Sequence, residues 1–142
     1  MPTPVLVEQH LARLAEELEL PTPLHKEKSG AFRLGLGRGM TITLKVLEEG
    51  FHLFTEIAPL PAQKREELLI LLMRANFLGQ GTGGSAIGLD KDEKFLTLSF
   101  AIPYEVDYKA FKEMVEDFTN FAHYWRTEVS KHASDAEKTH IQ

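Results

Sequence analysis

The hydrophobic and polar positions of the chain follow two periods, and the period changes several times along the sequence. Near the N-terminus, Val7, Leu11, Leu14 and Leu18 recur at spacings of four, three and four, which places them on one face of a helix. Between residues 31 and 57, three runs alternate residue by residue, as strands covered on one face do. The short glycine-containing connections between these runs indicate antiparallel hairpins.

The second half of the chain predicts a helix, a hairpin and a long final helix. Asp107 can cap the final helix, which carries an aromatic stripe typical of a packed core. The pattern therefore predicts the element order αβββαββα, an α+β sandwich in which a twisted antiparallel sheet packs with helices. The predicted helices cover residues 5–19, 62–78 and 107–132, and the predicted strands cover residues 31–36, 40–47, 51–57, 85–89 and 94–102.

An apolar run in the second predicted helix indicates self-association. The run Leu68–Met73 is apolar on all sides, whereas a surface helix of a monomer shows a single stripe. One face of this helix can cover the sheet, and a second copy of the chain is the simplest cover for the other face. The alternative is a helix buried on all sides within its own chain. We predict a dimer whose interface draws on the 85–102 hairpin and on Leu69, Leu72, Met73 and Asn76.

Composition and charge exclude several classes of protein. The formal net charge is −5 and the basic residues are scattered, which argues against a nucleic-acid partner. The absence of cysteine removes disulfides, thiolate zinc sites and cysteine nucleophiles. The first ten residues lack the basic region and apolar core of a signal peptide, and the longest apolar run, of six residues, is too short for a membrane span. We therefore expect a cytoplasmic protein without membrane insertion.

The length favours one domain. A chain of 142 residues is long enough to bury a core of its own, and no linker or repeat divides it. We predict a single domain over residues 1–142, with its core at about 5–130. The polar residues 133–142 are predicted to form a flexible tail.

The glycine cluster is the segment that invites a catalytic interpretation. Gly79–Gly84 reads G-x-G-x-x-G, but a dinucleotide site needs a strand before the glycines and a helix after them, and here the order is reversed. A tight turn with positive φ angles is the favoured interpretation, and a nucleotide-binding enzyme is the alternative. The six histidines do not pair at ligand spacing, and no serine lies in a nucleophile elbow. We predict a binding protein and no enzyme, with no catalytic residue, cofactor or metal.

Taken together, the chain resembles the class I type III secretion chaperones over roughly residues 5–130. The resemblance begins at Ala75-Asn76-Phe77-Leu78, Thr82-Gly83-Gly84 and Ile87-Gly88-Leu89-Asp90. It continues through Leu96-Thr97-Leu98, Pro103, Tyr108, Phe111 and the segment 118–125. The element order and the length agree with the same family.

The resemblance implies a bacterial cytoplasmic chaperone that binds secreted effector proteins. Such chaperones are homodimers and hold the N-terminal segment of the effector in extended form, soluble and competent for secretion. They use no ATP themselves, and an ATPase of the secretion apparatus releases the cargo. For this chain, a heterodimer with a similar chaperone stays open beside the homodimer. The alternative is a dimeric regulatory or adaptor protein of the same fold without a role in secretion.

The first helix and first strand are the predicted cargo site. An alternating strand can offer a sheet edge for strand addition, and alternate apolar positions can form the pockets that such a partner needs. Which face of the sheet meets the cargo stays open at this point. Cargo binding is predicted at Leu11, Leu14, Leu18, Phe32, Leu34 and Leu36.

Overall fold

The computed structural model describes the backbone of residues 4–19, 30–35, 39–47, 50–103 and 105–141, and the side chains of these residues except 4–7 and 136–141. The helices are α1 (Pro4–Glu17), α2 (Arg65–Asn76) and α3 (Tyr108–Ile141), and a short 3-10 helix, Phe77–Gly79, follows α2 directly. The strands are β1 (Ala31–Gly35), β2 (Thr41–Val46), β3 (Gly50–Pro59), β4 (Ala86–Leu89) and β5 (Phe95–Pro103). The predicted order αβββαββα is confirmed.

The five strands form one antiparallel sheet in the order β1-β2-β3-β5-β4. Phe32 of β1 lies opposite Leu44 of β2, and Leu44 lies opposite Leu53 of β3. Ile87 of β4 lies opposite Leu98 of β5. These apolar partners are all buried, because opposite residues of antiparallel strands share one face of the sheet. The α+β fold class is confirmed, and β1 and β4 are the terminal strands of this sheet.

Backbone contacts divide the chain into two compact units. The first comprises Met1–Thr55 and Phe100–Thr119, and the second comprises Glu56–Ser99 and Asn120–Gln142. Each unit buries apolar side chains of its own, for example Leu53 and Phe111 in the first and Leu68 and Trp125 in the second. The predictions of a single domain and of a flexible tail at residues 133–142 stay predictions.

The predicted bounds agree with the structure to within three residues, apart from the end of α3. The helix ends follow local chemistry: Asp107 accepts a hydrogen bond from the Ala110 amide at 2.8 Å and so caps α3. The predicted end of α3 at about His132 was wrong, since the helix continues to Ile141. The apolar stripe stops at Val129, but the residues beyond it include no glycine or proline to break the helix.

The turn between α2 and β4 is held against its neighbours in the second unit. Gly79, Gly83 and Gly84 have φ angles of 69°, 63° and 89°, which confirms the predicted positive φ values. Gly81 is needed for a different reason, because a Cβ at this position would lie 2.9 Å from the Cα of Ala75 in α2. The Trp125 indole N–H donates to the Gly81 carbonyl at 2.9 Å. The turn therefore packs directly on α2 and is bonded to α3.

Replacing Gly81 by alanine should test how tightly this turn packs. Because the nearest atom belongs to the α2 backbone, the new methyl group forces the helix and the turn apart. We expect Gly81→Ala to lower the free energy of unfolding by about 1–3 kcal/mol in chemical denaturation. Gly35→Ala is the matched control, since nothing lies within 4 Å of its Cβ position. Equal stability of the two variants would contradict the close approach.

Candidate protein-binding surfaces

The residues predicted to bind cargo lie in the first unit, and most of them belong to its core. Four of the six are 6% exposed or less: Leu11, Leu14, Phe32 and Leu34. Leu36 lies outside the described residues. Leu18 is 41% exposed and presents an apolar side chain to a partner. Cargo binding by this set stays a prediction, but in this conformation the four buried side chains are occupied by packing within the chain.

A buried histidine attaches α1 to the first turn of α3 and to the residues before it. His10 is 8% exposed, and its Nε2 lies 3.1 Å from the Val106 carbonyl oxygen. Its ring stacks on Phe111 with centroids 5.3 Å apart, and Phe111 contacts Phe51 of β3 at 5.4 Å. His10 is not among the residues predicted from the sequence, although its place beside Leu11 on the apolar face could have signalled a buried role. These ring contacts fix the buried face of α1.

A polar cluster fixes the last turn of the same helix. The Tyr108 hydroxyl donates to Glu17 Oε2 at 2.8 Å, and Lys112 Nζ lies 2.9 Å from the same oxygen. The Arg13 guanidinium lies 4.1 Å above the centre of the Tyr108 ring. Leu18 follows immediately, with its amide bonded to the Leu14 carbonyl at 2.9 Å. The cluster therefore sets where the exposed Leu18 stands.

The same cluster shifts the pKa values of its members. Hydrogen bonds from Lys112 and then Tyr108 hold the pKa of the Glu17 carboxyl below its ordinary value of 4.5. Burial, reinforced by the hydrogen bond to Glu17, raises the pKa of Tyr108 to about 12. The hydrogen bond to Glu17 also raises the pKa of Lys112. Folding thus favours the ionised carboxylate and ammonium and the neutral phenol.

The terminal strand β1 has peptide groups that point away from the sheet. The Leu47 amide donates to the Gly50 carbonyl at 2.7 Å, so this pair is hydrogen-bonded across the β2–β3 hairpin. Hydrogen-bonded pairs alternate along antiparallel strands, so the peptide groups of Leu44 face β1. The peptide groups of Ala31 and Gly35 consequently point away from β2. Ala31 is only 6% exposed whereas Gly35 is exposed, so the outward peptide group of Gly35 is the accessible one of this pair.

The helix α2 and the residues after it expose a large apolar patch in the second unit. Soluble monomers rarely leave so many large apolar side chains together in water. The patch consists of side chains between 43% and 79% exposed: Ile70, Leu71, Met73, Phe77 and Leu78. A buried stripe of Leu68, Leu72 and Ala75 runs along the same helix. The helix is therefore packed within its own unit on one face and apolar on its exposed face as well.

Only part of the predicted dimer interface belongs to this patch. Met73 is 69% exposed and Leu69 is half-buried, but Leu72 is 3% exposed and belongs to the core. The Asn76 side chain forms hydrogen bonds with the backbone of Ile87. Phe77 and Leu78 are not among the predicted interface residues, although two large apolar residues just before the C-terminal glycine of a helix were a usable signal. The dimer and the role of the four predicted residues stay predictions.

Two grooves adjoin the apolar patch, and Arg74 lines both of them. The smaller groove, of about 390 Å³, is formed by one side of α2 and by Phe77. The larger groove, of about 660 Å³, is formed by Leu71 and Ala75 of α2, the Gly81 turn and the aromatic side chains of α3. Those aromatic side chains are Phe121, Tyr124 and Trp125. Protruding apolar side chains and an aromatic groove therefore occur side by side on one surface.

The glycine turn does not have the geometry of a phosphate site. A helix enters it and a strand leaves it, so the glycines do not lead into a helix N-terminus as they do in a phosphate-binding loop. The Gly81 carbonyl accepts from Trp125, and a Cβ at Gly83 would collide with the Phe121 ring. Among the described residues, no three His, Asp or Glu side chains converge closely enough to hold a metal ion. Within the described residues, no helix combines the length and the apolar character needed to cross a membrane.

Comparison with known proteins finds one family and several similar folds. A family model described as "Tir chaperone protein (CesT) family" matches residues 9–126, which is more than half of the chain. No curated protein matches the sequence. Because the match includes both terminal strands and most of α3, it covers the surfaces described above.

The solved structures show likeness of fold. A chain of the ExsC–ExsE complex is 18% identical, with a TM-score of 0.73, 89% of this chain covered and 96% of that chain. A chain of the complex between the Yersinia pestis type III secretion chaperone SycH and a stable fragment of YscM2 is 18% identical, with a TM-score of 0.62 and coverage of 81% and 95%. YbjN, a candidate transcription regulator from E. coli, is 14% identical, with a TM-score of 0.62 and coverage of 92% and 93%.

The polar cluster on α1 should make stability depend on pH. The lowered pKa of Glu17 means that its contribution is complete above pH 4.5 and is lost as the pH falls below that value. We expect Glu17→Gln to lower the denaturation midpoint at pH 7, and we expect this difference to be smaller at pH 3 than at pH 7. Glu113→Gln, at an exposed position of α3, is the control and should change little at either pH. A Glu17→Gln deficit of the same size at both pH values would refute the role of the carboxylate.

Proposed function

The chain belongs to the Tir chaperone protein (CesT) family, and from this premise we propose that it is a class I type III secretion chaperone of the bacterial cytoplasm. The family match confirms the resemblance that the sequence carries. The protein binds the N-terminal segment of a secreted effector in extended form and keeps it soluble and competent for secretion. It acts by binding and not by catalysis, and an ATPase of the secretion apparatus takes the cargo from it.

The observation that carries this function is the family match over residues 9–126. The fold agrees, since similar folds occur in the ExsC–ExsE complex and in SycH bound to a fragment of YscM2. The partners of those proteins are their own, and the effector of this chain is to be identified by experiment.

The cargo contacts the exposed end of α1 and pairs with β1. Leu18 offers apolar surface at the end of α1, which His10 and Glu17 hold in place. The outward peptide group of Gly35, which is exposed, offers backbone hydrogen bonds to an extended segment. Main-chain bonds of this kind supply affinity for many sequences, and an apolar contact nearby adds selectivity.

A second copy of the chain covers the apolar patch on α2. The protruding Met73 and Phe77 and the larger groove are parts of one surface, so a twofold arrangement can insert the side chains of each copy into the groove of the other. Leu69 lies within the same surface, whereas Leu72 supports it from the core. A similar chaperone with the same patch could replace the second copy.

A dimeric regulatory or adaptor protein without a role in secretion is the second candidate. The likeness to YbjN, a candidate transcription regulator, favours it. Secretion of an effector distinguishes the two functions. Loss of a secretion chaperone leaves its effector unsecreted, whereas loss of a regulatory or adaptor protein without a role in secretion does not.

Deleting the gene in the bacterium that carries it should remove at least one protein from the secreted fraction, and the intact gene should restore that protein. We expect Leu18→Glu to fail in this rescue, since a charge at the exposed end of α1 opposes apolar contact with the cargo. Ala12→Glu adds the same charge at another exposed position of α1 and should rescue fully. Mass spectrometry of the culture medium compares the deletion strain with the three strains that carry the intact gene, Leu18→Glu or Ala12→Glu. An unchanged secreted fraction after deletion would refute the function, and rescue by Leu18→Glu would refute the site.

The dimer is tested by Met73→Asp. A charge buried in the interface without a partner weakens association by several kcal/mol, whereas at an exposed position of the free chain it leaves the fold intact. We expect light scattering to show a species of 16.1 kDa for this variant and about twice that mass for the wild type. Leu47→Asp, at a 43% exposed leucine of the first unit, should keep the wild-type mass. A full-size Met73→Asp assembly would contradict the interface.

A further inference from the structure

The two terminal strands of the sheet are not equivalent. An exposed edge strand pairs with any extended segment that reaches it, so proteins close the edges they do not use. β1 ends the sheet on one side and β4 ends it on the other. The proposed function needs one receptive edge, so the state of the second edge decides where a partner strand pairs.

The pairing of β4 with β5 determines which peptide groups of β4 point away from β5. The Asp90 amide donates to the Phe95 carbonyl at 3.0 Å, which makes this pair hydrogen-bonded. By alternation along the antiparallel ladder, the peptide groups of Gly88 face β5, and those of Ile87 and Leu89 point to the open side. An incoming strand would therefore have to bond to Ile87 and Leu89.

The Asn76 side chain already bonds to both outward groups of Ile87. Its Nδ2 donates to the Ile87 carbonyl at 2.8 Å, and its Oδ1 accepts from the Ile87 amide at 2.8 Å. A carboxamide carries the same donor and acceptor as a peptide group, so Asn76 pairs with β4 as one residue of a neighbouring strand would. The centre of the outward edge is thereby occupied.

The surrounding structure holds Asn76 in this position. It is the last residue of α2, and the Gly81 amide donates to the carbonyl of the adjacent Ala75 at 3.0 Å. The Gly81 carbonyl accepts in turn from Trp125. The carboxamide is therefore presented from a fixed helix end and does not have to be ordered when a strand approaches.

We propose that Asn76 closes β4 to strand addition, so that an extended partner segment cannot pair with this edge of the sheet. The proposal rests on the proposed function only for the identity of that segment. Closure of β4 also keeps two copies of this chain from pairing edge to edge through their exposed β4 strands. Asn76 is thus a specificity-determining residue that acts by excluding a second site.

Self-association of the protein at rising concentration tests whether the edge of β4 is open. In Asn76→Ala we expect the Ile87 amide to exchange with solvent about tenfold faster in dilute protein, because it has lost its acceptor. As the concentration rises, we expect the mass measured by light scattering to exceed that of the wild-type assembly. In the associated species the Ile87 and Leu89 amides should regain protection from exchange. Glu113→Ala truncates an exposed side chain of α3 that lines neither groove and should behave as the wild type.

The double variant Asn76→Ala with Leu89→Pro identifies the surface. Proline at position 89 removes an outward amide and leaves the hydrogen bonds between β4 and β5 in place. We expect it to return the mass to the wild-type value, a rescue that general unfolding would not show. An Asn76→Ala protein that never associates, or a double variant that still associates, would overturn the proposal. Neither measurement uses an effector, so the outcome for Asn76 does not depend on whether the proposed chaperone function is correct.

Discussion

The second unit depends on the way the chain returns from α2 to β4. The Gly81 turn lies so close to α2 that a Cβ would reach within 2.9 Å of the Ala75 Cα, and Trp125 bonds to its carbonyl. With this turn fixed, Asn76 reaches Ile87 with both ends of its carboxamide. One close backbone approach thus determines the occupied edge of β4 and one wall of the larger groove.

In the first unit, side-chain contacts hold α1 in place, whereas in the second unit a close backbone approach holds the turn. His10 stacks on Phe111, while Glu17 accepts from Tyr108 and lies beside Lys112. These contacts hold both the buried face and the last turn of α1, which leaves Leu18 exposed at a defined place. A chaperone that binds by apolar contact needs such a support, since an exposed leucine on a loosely attached helix would lose its position.

Much of the fold could be predicted, because the spacing of apolar residues and the positions of glycine and proline are local properties of the sequence. Alternation predicted β1, β2 and β3, and the helix-then-strand order around the glycines argued against a phosphate site. The end of α3 was not predictable from the apolar stripe, since helix propensity persists after Val129, where the stripe stops. The candidate sites were harder, because Phe32 in the core and Leu18 at the surface obey the same periodicity.

By itself, the sequence determined the order of the elements, the positive φ angles of the turn and the resemblance to a chaperone family. These follow from short-range sterics and from the spacing of apolar residues. Only the tertiary structure decided that Leu72 is core while Met73 is surface, and that Asn76 bonds to β4. Those outcomes depend on which residues come together in the folded chain, and the spacing of apolar and polar residues along the sequence does not specify those contacts.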